Sequence, residues 1–227
     1  MGEIVEFASN GGTCTGYLAG PAGGGPAVIV IQEWWGLVPH ILELVDRFAA
    51  AGFVALAPDF YRGSATTEPD EAKKLMIGLQ VAKAAKDIAG AAAYLVARPD
   101  VSSSNVGVVG FCMGGGLSLL AGSVSDDVAA TVAFYPATPW PDYHPDWSAY
   151  RDKQVLIHKA ESDEAHAGPM IAALTTDIIA AGGNVVIQNY PGSQHAFFND
   201  DRPEVFAADH ASVAWQRTLD LFHSTLR

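Results

Sequence analysis

The stretch Gly110-Phe111-Cys112-Met113-Gly114-Gly115-Gly116 lies directly behind the apolar run Val106-Gly107-Val108-Val109. An apolar run that ends in glycine, presents one nucleophilic side chain and continues into small residues is typical of a strand, a sharp turn and a helix. Glycines on both sides of the nucleophile allow the helix to pass close to the strand. Because a helix N-terminus stabilises a thiolate, the pattern predicts a nucleophile elbow that carries Cys112.

Two other interpretations of this stretch have to be weighed. A buried cysteine is often only a small apolar side chain, and a glycine-rich turn after a strand can bind a dinucleotide. The second interpretation fits poorly, since no G-x-G-x-x-G or G-K-[ST] pattern follows Gly110. About 20 residues further on, Ala129-Ala130-Thr131 offers no acidic side chain for a ribose. The sequence therefore favours catalysis by Cys112 over a structural thiol.

The length and composition are typical of a globular protein. Of the 227 residues, 49% are hydrophobic and 17% are charged, so we expect one domain over residues 1–227. A formal net charge of −12 would repel a polyanion, which argues against nucleic acid and an anionic membrane as partners. With only Cys14 and Cys112 and no signal-peptide pattern, we expect no disulfide and a cytoplasmic location.

Apolar runs of strand type alternate with segments of helical periodicity along the chain, which predicts an α/β fold with a mostly parallel sheet. Because sites of such sheets lie at the carboxyl ends of the strands, the loops that follow the strands are the places to search. The expected strands cover 3–8, 13–19, 27–31, 53–58, 106–109, 128–134, 154–158 and 184–190, and the expected helices cover 39–51, 69–97, 165–181 and 203–223.

A catalytic thiol needs a base, and in this architecture the acid and then the base follow the nucleophile along the chain. His195 lies just beyond the last expected strand and is our candidate for the base. His144, in a proline-rich loop, is its rival, and His158 lies inside a strand, where a packed core residue is expected. The remaining histidines fall on helices, where a solvated position is expected: His40, His166, His210 and His223.

The loop after the strand at 154–158 holds three candidates for the acid. Asp163 is favoured because a short carboxylate near the apex of this loop suits a histidine 32 positions later, while Glu161 and Glu164 remain open. For the oxyanion hole we expect the backbone N–H of Met113, after the nucleophile, and that of Trp34, in the loop after the strand at 27–31. The adjacent Trp35 is a candidate wall of the substrate site.

The chain resembles the dienelactone hydrolase (carboxymethylenebutenolidase) family of α/β hydrolases over nearly its full length. The residues that carry the resemblance are Gln32-Glu33-Trp34-Trp35-Gly36, Ala57-Pro58-Asp59-Phe60-Tyr61, Gly110-Phe111-Cys112-Met113-Gly114-Gly115, the Asp163 loop and His195-Ala196-Phe197-Phe198-Asn199. The resemblance implies the α/β-hydrolase fold, with helices on both faces of the sheet. It also implies a Cys112–His195–Asp163 triad that opens a lactone or ester through an acyl-thioester.

The resemblance further implies that Glu33 keeps the resting thiol neutral and helps to form the thiolate when substrate binds. The family's best-known members hold this glutamate with an arginine four residues after the histidine, where this chain has Asn199. Arg202 or Arg62 could take that part, or no residue at all. The start of the long helix also lacks the arginine that binds a substrate carboxylate in those members, although Lys73 and Lys74 are present.

We also expect Tyr135 and Phe197 to contribute to substrate binding, with Tyr61 as a weaker candidate. The expected partner is a small lactone or ester, bound without a cofactor or metal by a monomer or small homo-oligomer. A general carboxylesterase or thioesterase with the same triad is an alternative function. A different class of protein is a redox sensor or ligand-binding protein that uses Cys112 without the proton shuttle of His195 and Asp163.

Overall fold

The computed structural model describes residues 2–138, 140 and 142–227 and contains eight strands and six α-helices over these residues. The strands are β1 (Glu3–Ser9), β2 (Gly12–Ala19), β3 (Gly25–Ile31), β4 (Val54–Pro58), β5 (Val101–Phe111), β6 (Val128–Phe134), β7 (Gln154–Ala160) and β8 (Asn184–Tyr190). The helices are α1 (Pro39–Ala50), α2 (Pro69–Gly78), α3 (Val81–Val96), α4 (Met113–Ala121), α5 (Glu164–Ala180) and α6 (Ala208–Thr225). Short 3₁₀ turns cover Trp147–Tyr150 and Glu161–Asp163.

The strands form one sheet in the order β1-β2-β4-β3-β5-β6-β7-β8. The pairs β1/β2 and β2/β4 are antiparallel, and every other neighbouring pair is parallel. β3 and β6 are buried along almost their whole length, as expected for parallel strands that are covered on both faces. The predicted mostly parallel sheet is therefore confirmed.

Helices cover both faces of this sheet, as predicted. Successive residues of β3 alternate between two hydrophobic cores, with Ile29 and Ile31 in one and Val28 and Val30 in the other. The first core is closed by buried residues of α3, α4 and α5, and the second by those of α1 and α6. The two layers fix the strand ends, and with them the loops that carry the candidate site.

The structure corrects the bounds of two predicted helices. The single helix predicted over 69–97 is two helices, because Leu79 and Gln80 adopt extended backbone angles between α2 and α3. The last helix begins at Ala208 rather than near 203, since the Ala207 N–H donates to the Phe197 carbonyl and holds the preceding segment in turns. Both differences lie in the backbone conformation, which the spacing of apolar residues does not report.

None of the helices in the described part of the chain has both the length and the apolar character that a membrane span requires.

Replacing Gly114 by Ala should destabilise the fold, because a Cβ there would overlap the backbone carbonyl oxygens of Ile31 and Gln32. We expect a loss of about 2–3 kcal/mol in the free energy of unfolding, measured by urea denaturation. Gly78→Ala is the matched control, since no atom lies within 4 Å of a Cβ at that position. Equal denaturation midpoints for the two variants would contradict the close approach.

Candidate active site

Cys112 lies between β5 and α4 with backbone angles φ +54° and ψ −115°, a strained conformation for a residue other than glycine. Three backbone hydrogen bonds hold it there. Its N–H donates to the Phe134 carbonyl at 3.1 Å, and its carbonyl accepts from Ala137 at 2.9 Å and from Gly116 at 3.1 Å. The turn is thus fastened to the end of β6, and the half-buried thiol is presented at the carboxyl end of the sheet.

His195 and Asp163 meet at the same end of the sheet. The Nδ1 atom of His195 lies 2.9 Å and 3.0 Å from the two carboxylate oxygens of Asp163. The His195 backbone N–H donates to Ser162 Oγ at 2.8 Å, which fixes the loop that carries the ring. This geometry suits a carboxylate that orients an imidazole and leaves the other ring nitrogen for proton transfer.

The two other carboxylates of the Asp163 loop are engaged elsewhere. Glu161 accepts the Gly192 N–H at 2.7 Å, and exposed Glu164 forms an ion pair with Lys159. Of the three candidates for the acid that the sequence left open, the structure therefore brings Asp163 to His195.

The charge of His195 is strongly influenced by its neighbours. Burial disfavours the protonated ring, but the hydrogen bond to Asp163 and the interactions with the Cys112 thiolate favour it more, so the pKa of His195 is raised to about 10. A thiolate and an imidazolium stabilise each other in this arrangement. The site therefore holds a ring whose positive charge would stabilise a thiolate on Cys112.

The start of α4 packs against the loop after β3, because Gly114 leaves room for the Ile31 and Gln32 carbonyls. This contact brings the Met113 N–H close to the segment that holds Trp34. Neither amide has a hydrogen-bond acceptor within the described residues. Two unpaired amides beside a nucleophile are the arrangement that an oxyanion requires.

A cavity of about 280 Å³ opens above Cys112. Trp34 and Trp35, whose rings meet edge to face at 4.8 Å, form one wall. The other residues that line the cavity are Glu33, Met76, Cys112, Ala137, His195, Ala196 and Arg202. The placement of Trp35 agrees with its predicted role as a wall of the site.

Phe197 and Tyr135 are fully buried instead. Phe197 packs in the core against Phe134 and Tyr190, so the structure does not agree with its predicted contact with substrate. The ring centroids of Tyr135 and His195 are 5.0 Å apart in an edge-to-face arrangement, so Tyr135 packs against the histidine ring and does not line the cavity. The place of Phe197 shortly after His195 in the sequence does not indicate whether its side chain packs in the core or lines the cavity.

Glu33 is buried, and its Oε2 accepts a 3.1 Å hydrogen bond from the Asn199 amide. Its Oε1 has no partner among the described residues, and neither has the nearby hydroxyl of Tyr135. Burial raises the pKa of Glu33, and the charges of His40, His195 and Arg202 oppose that shift. The carboxyl of Glu33 is therefore a group that holds a proton readily.

The structure also answers which residue holds Glu33. Asn199 itself takes the position, whereas Arg62 is bound to Asp87 at 2.6 Å in another part of the molecule. Arg202 borders the cavity and forms an ion pair with Glu204 at 2.9 Å. The arginine side chain at the cavity is thus Arg202, while Lys74 is bound to Glu71 on the exposed surface of α2.

The prediction that His40 is solvated was wrong. Only 2% of His40 is exposed, and its Nδ1 lies 3.2 Å from a carboxylate oxygen of Asp200. A signal existed in the sequence, because His40, Leu44 and Phe48 recur every four residues and share the buried face of α1. By contrast, the expectation that His158 is a core residue is confirmed, since burial lowers its pKa to about 3.

The strand–elbow–helix unit, the histidine after the last strand and the eight-stranded sheet together define an α/β hydrolase. The model of the dienelactone hydrolase family matches residues 14–226, and the chain belongs to this family.

Similar proteins span the same length. "Protein usf" of Aquifex pyrophilus is 37% identical over all of both chains, and a "putative carboxymethylenebutenolidase" of Aquifex aeolicus is 31% identical, again over all of both chains. The crystal structure of a "putative dienelactone hydrolase" from Klebsiella pneumoniae superposes with a TM-score of 0.84 at 26% identity, covering 98% of each chain. The protein is thus a hydrolase that acts on ester or lactone bonds.

Replacing Cys112 by Ser should lower the pKa of His195, because the thiolate is one of the groups that raise it. The measurement is an NMR titration of the histidine ring protons, with His195 assigned from a His195→Gln spectrum. Cys14→Ser serves as the control, since Cys14 is buried in β2 and is absent from the groups that act on His195. An unchanged His195 titration in Cys112→Ser would show that the thiol and the ring are not coupled.

Proposed function

We propose that the chain hydrolyses small lactones or esters through a Cys112–His195–Asp163 triad and an acyl-thioester on Cys112. The observation that carries this proposal is the 2.9 Å contact between His195 Nδ1 and Asp163, with the ring next to the elbow thiol. A redox-sensing thiol needs no carboxylate-oriented histidine, so this contact supports hydrolysis over the sensor alternative. A cytoplasmic setting, in which thiols stay reduced, suits this chemistry.

In the first half of the reaction the Cys112 thiolate attacks the carbonyl carbon. The carbonyl oxygen becomes an oxyanion that accepts from the Trp34 and Met113 amides. The bond from carbon to the leaving oxygen then breaks, and the leaving oxygen takes a proton from the His195 imidazolium. In the second half water loses a proton to His195 and attacks the thioester, and the bond from carbon to sulfur breaks, which releases the acid and a Cys112 thiolate. The proton held by Glu33 then returns to this thiolate and restores the resting thiol.

Glu33 has the properties of an acceptor for the proton of the resting thiol. Glu33 and Cys112 both line the cavity, and Oε1 of Glu33 is the oxygen without a partner. When Glu33 is ionised, the thiol proton passes to Oε1, which leaves a thiolate and a neutral carboxyl. Because burial raises the pKa of Glu33, the neutral carboxyl is favoured once formed. A thiol that is neutral between turnovers is also protected from oxidation.

His40 and Asp200 act on the charge of Glu33. Asn199, which binds Glu33, and Asp200, which binds His40, are consecutive residues, so one segment holds both groups. The Nη1 atom of Arg47 lies 3.8 Å from a carboxylate oxygen of Asp200 and adds a positive charge beside the His40–Asp200 pair. On the cavity side, the charges of His195 and Arg202 also lower the pKa of Glu33. The charge of the His40 ring, which is held by Asp200, lowers the pKa of Glu33 and so favours its ionised carboxylate.

The name carboxymethylenebutenolidase among the relatives supports a lactone with its own carboxylate as substrate. Arg202 is the side chain of the cavity that suits such a carboxylate. The carboxylesterase or thioesterase alternative uses the same triad, and a panel of dienelactones, simple lactones and short aryl esters separates the two. Turnover of the panel should disappear in Cys112→Ala.

Asp163→Asn should reduce kcat by about 10²–10⁴, because an amide in place of the carboxylate favours the wrong tautomer of His195. The measurement is steady-state hydrolysis of the best substrate of the panel. Glu164→Gln, two-thirds exposed and bound to Lys159, is the control and should keep wild-type turnover. Wild-type kcat in Asp163→Asn would refute the triad.

Asp200→Asn should move the ascending limb of the kcat/KM pH profile to higher pH by about 0.5 unit or more. Asp200 is the partner of the His40 ring, whose charge lowers the pKa of Glu33; without that partner the pKa of Glu33 should rise further, and Glu33 should ionise at higher pH. Asp201→Asn is the matched control, because Asp201 is exposed and contacts Asn199 through its backbone N–H. The same shift in both variants, or none in either, would remove His40 and Asp200 from the proposal.

A further inference from the structure

A groove leads away from His195 between α5 and residues 136–138, 140 and 143–147. It begins as a cavity of about 270 Å³ bordered by Asp163, His195 and Ala137. A second cavity of about 420 Å³ adjoins it, and Thr138 and Met170 border both. We call these two adjoining cavities the α5 groove. Because His195 and Ala137 also line the cavity above Cys112, the groove is an extension of the active site.

The walls of the α5 groove have different character. One wall is a single face of α5, since its residues recur at intervals of four, three and four: His166, Met170, Ala173 and Asp177. The opposite wall is aromatic and comes from the segment after β6: Trp140, Tyr143 and Trp147. Aromatic rings opposite Met170 and Ala173 favour an apolar ligand, and above all one that contains a ring.

The position of His195 decides which part of a substrate can enter the groove. His195 has to lie next to the leaving oxygen, because it protonates that atom. The acyl part then occupies the cavity with Trp34, Trp35 and Met76. The group attached to the leaving oxygen extends past His195, where the groove begins.

We propose that the α5 groove binds the leaving alcohol of the substrate, and that this alcohol carries an aromatic or long alkyl group. The inference rests on the proposed function, since it requires an acyl-thioester on Cys112. The alcohol leaves with the proton from His195 when the bond from carbon to oxygen breaks. With an ester the groove is therefore occupied during acylation and empty when water hydrolyses the thioester, whereas the hydroxyl released from a lactone stays joined to the acyl group.

The test compares two acetates that share an acyl group and release phenols of similar acidity, phenyl acetate and 4-benzylphenyl acetate. In the wild-type protein, kcat/KM should be about tenfold higher for the benzyl compound, because its second ring is buried in the groove. Ala173→Trp should fill the groove and bring the two values close together. Ala172→Trp, an exposed neighbour on the same helix that does not line the groove, should preserve the preference.

Phenyl hexanoate has the same leaving phenol as phenyl acetate and extends only the acyl side, so the ratio of kcat/KM for these two esters should be the same in the wild type and in Ala173→Trp. A wild-type ratio near one for the two acetates, or a ratio for them that Ala173→Trp leaves unchanged, would overturn the inference. Selective loss of phenyl hexanoate turnover in Ala173→Trp would overturn it as well, by placing the acyl chain in the groove. Turnover that survives in Cys112→Ala would instead refute the proposed function, so the two failures are distinguishable.

Discussion

The close approach of β5 and α4 at the elbow is the constraint on which the site depends. A side chain at position 110 would overlap the Gly114 carbonyl, and one at position 114 would overlap the end of β3. At position 115 a Cβ would lie 2.6 Å from the Phe134 carbonyl oxygen at the end of β6. The three glycines therefore let a single turn touch two neighbouring strands. The contact with β3 brings the Trp34 loop close to Cys112. The contact with β6 brings the segment that borders the α5 groove close to the same residue.

The two carboxyl groups of the site have different neighbours. Asp163 contacts His195, and this contact is one of the interactions that raise the pKa of the ring. Glu33 lies inside the protein and receives a hydrogen bond from a neutral amide. Desolvation favours the neutral form of such a group, so the same functional group orients a base in one place and stores a proton in the other.

Much of the site could be predicted from local sequence. The elbow is a short contiguous pattern, and the order of strands places His195 after the last one, so neither depends on distant contacts. Asp163 was favoured over Glu161 and Glu164 by its length and loop position, and the structure brings it to the ring. The mostly parallel sheet follows from the alternation of strands and helices, which is a repeated signal.

The remainder depends on contacts between distant parts of the chain. Glu33 and Asn199 are 166 positions apart, and no local pattern reports that they meet. Phe197 was assigned to the cavity because it follows His195, but the turn after the histidine directs it into the core. The burial of His40 is not evident from the sequence, although its helix carries the periodicity of a buried face. A polar residue on such a face needs a partner, and the partner, Asp200, comes from a distant part of the chain.

The side chain that donates to Glu33 is the neutral amide of Asn199. A cation bound directly to Glu33 would favour its ionised form strongly, whereas the amide of Asn199 carries no charge. The charges that act on Glu33 come instead from neighbours, among them His40, which is bound to the half-exposed Asp200. Burial raises the pKa of Glu33 and so works against the ionised carboxylate that would accept a proton from Cys112. The His40–Asp200 pair opposes that burial without cancelling it, which keeps both forms of Glu33 within reach of the reaction.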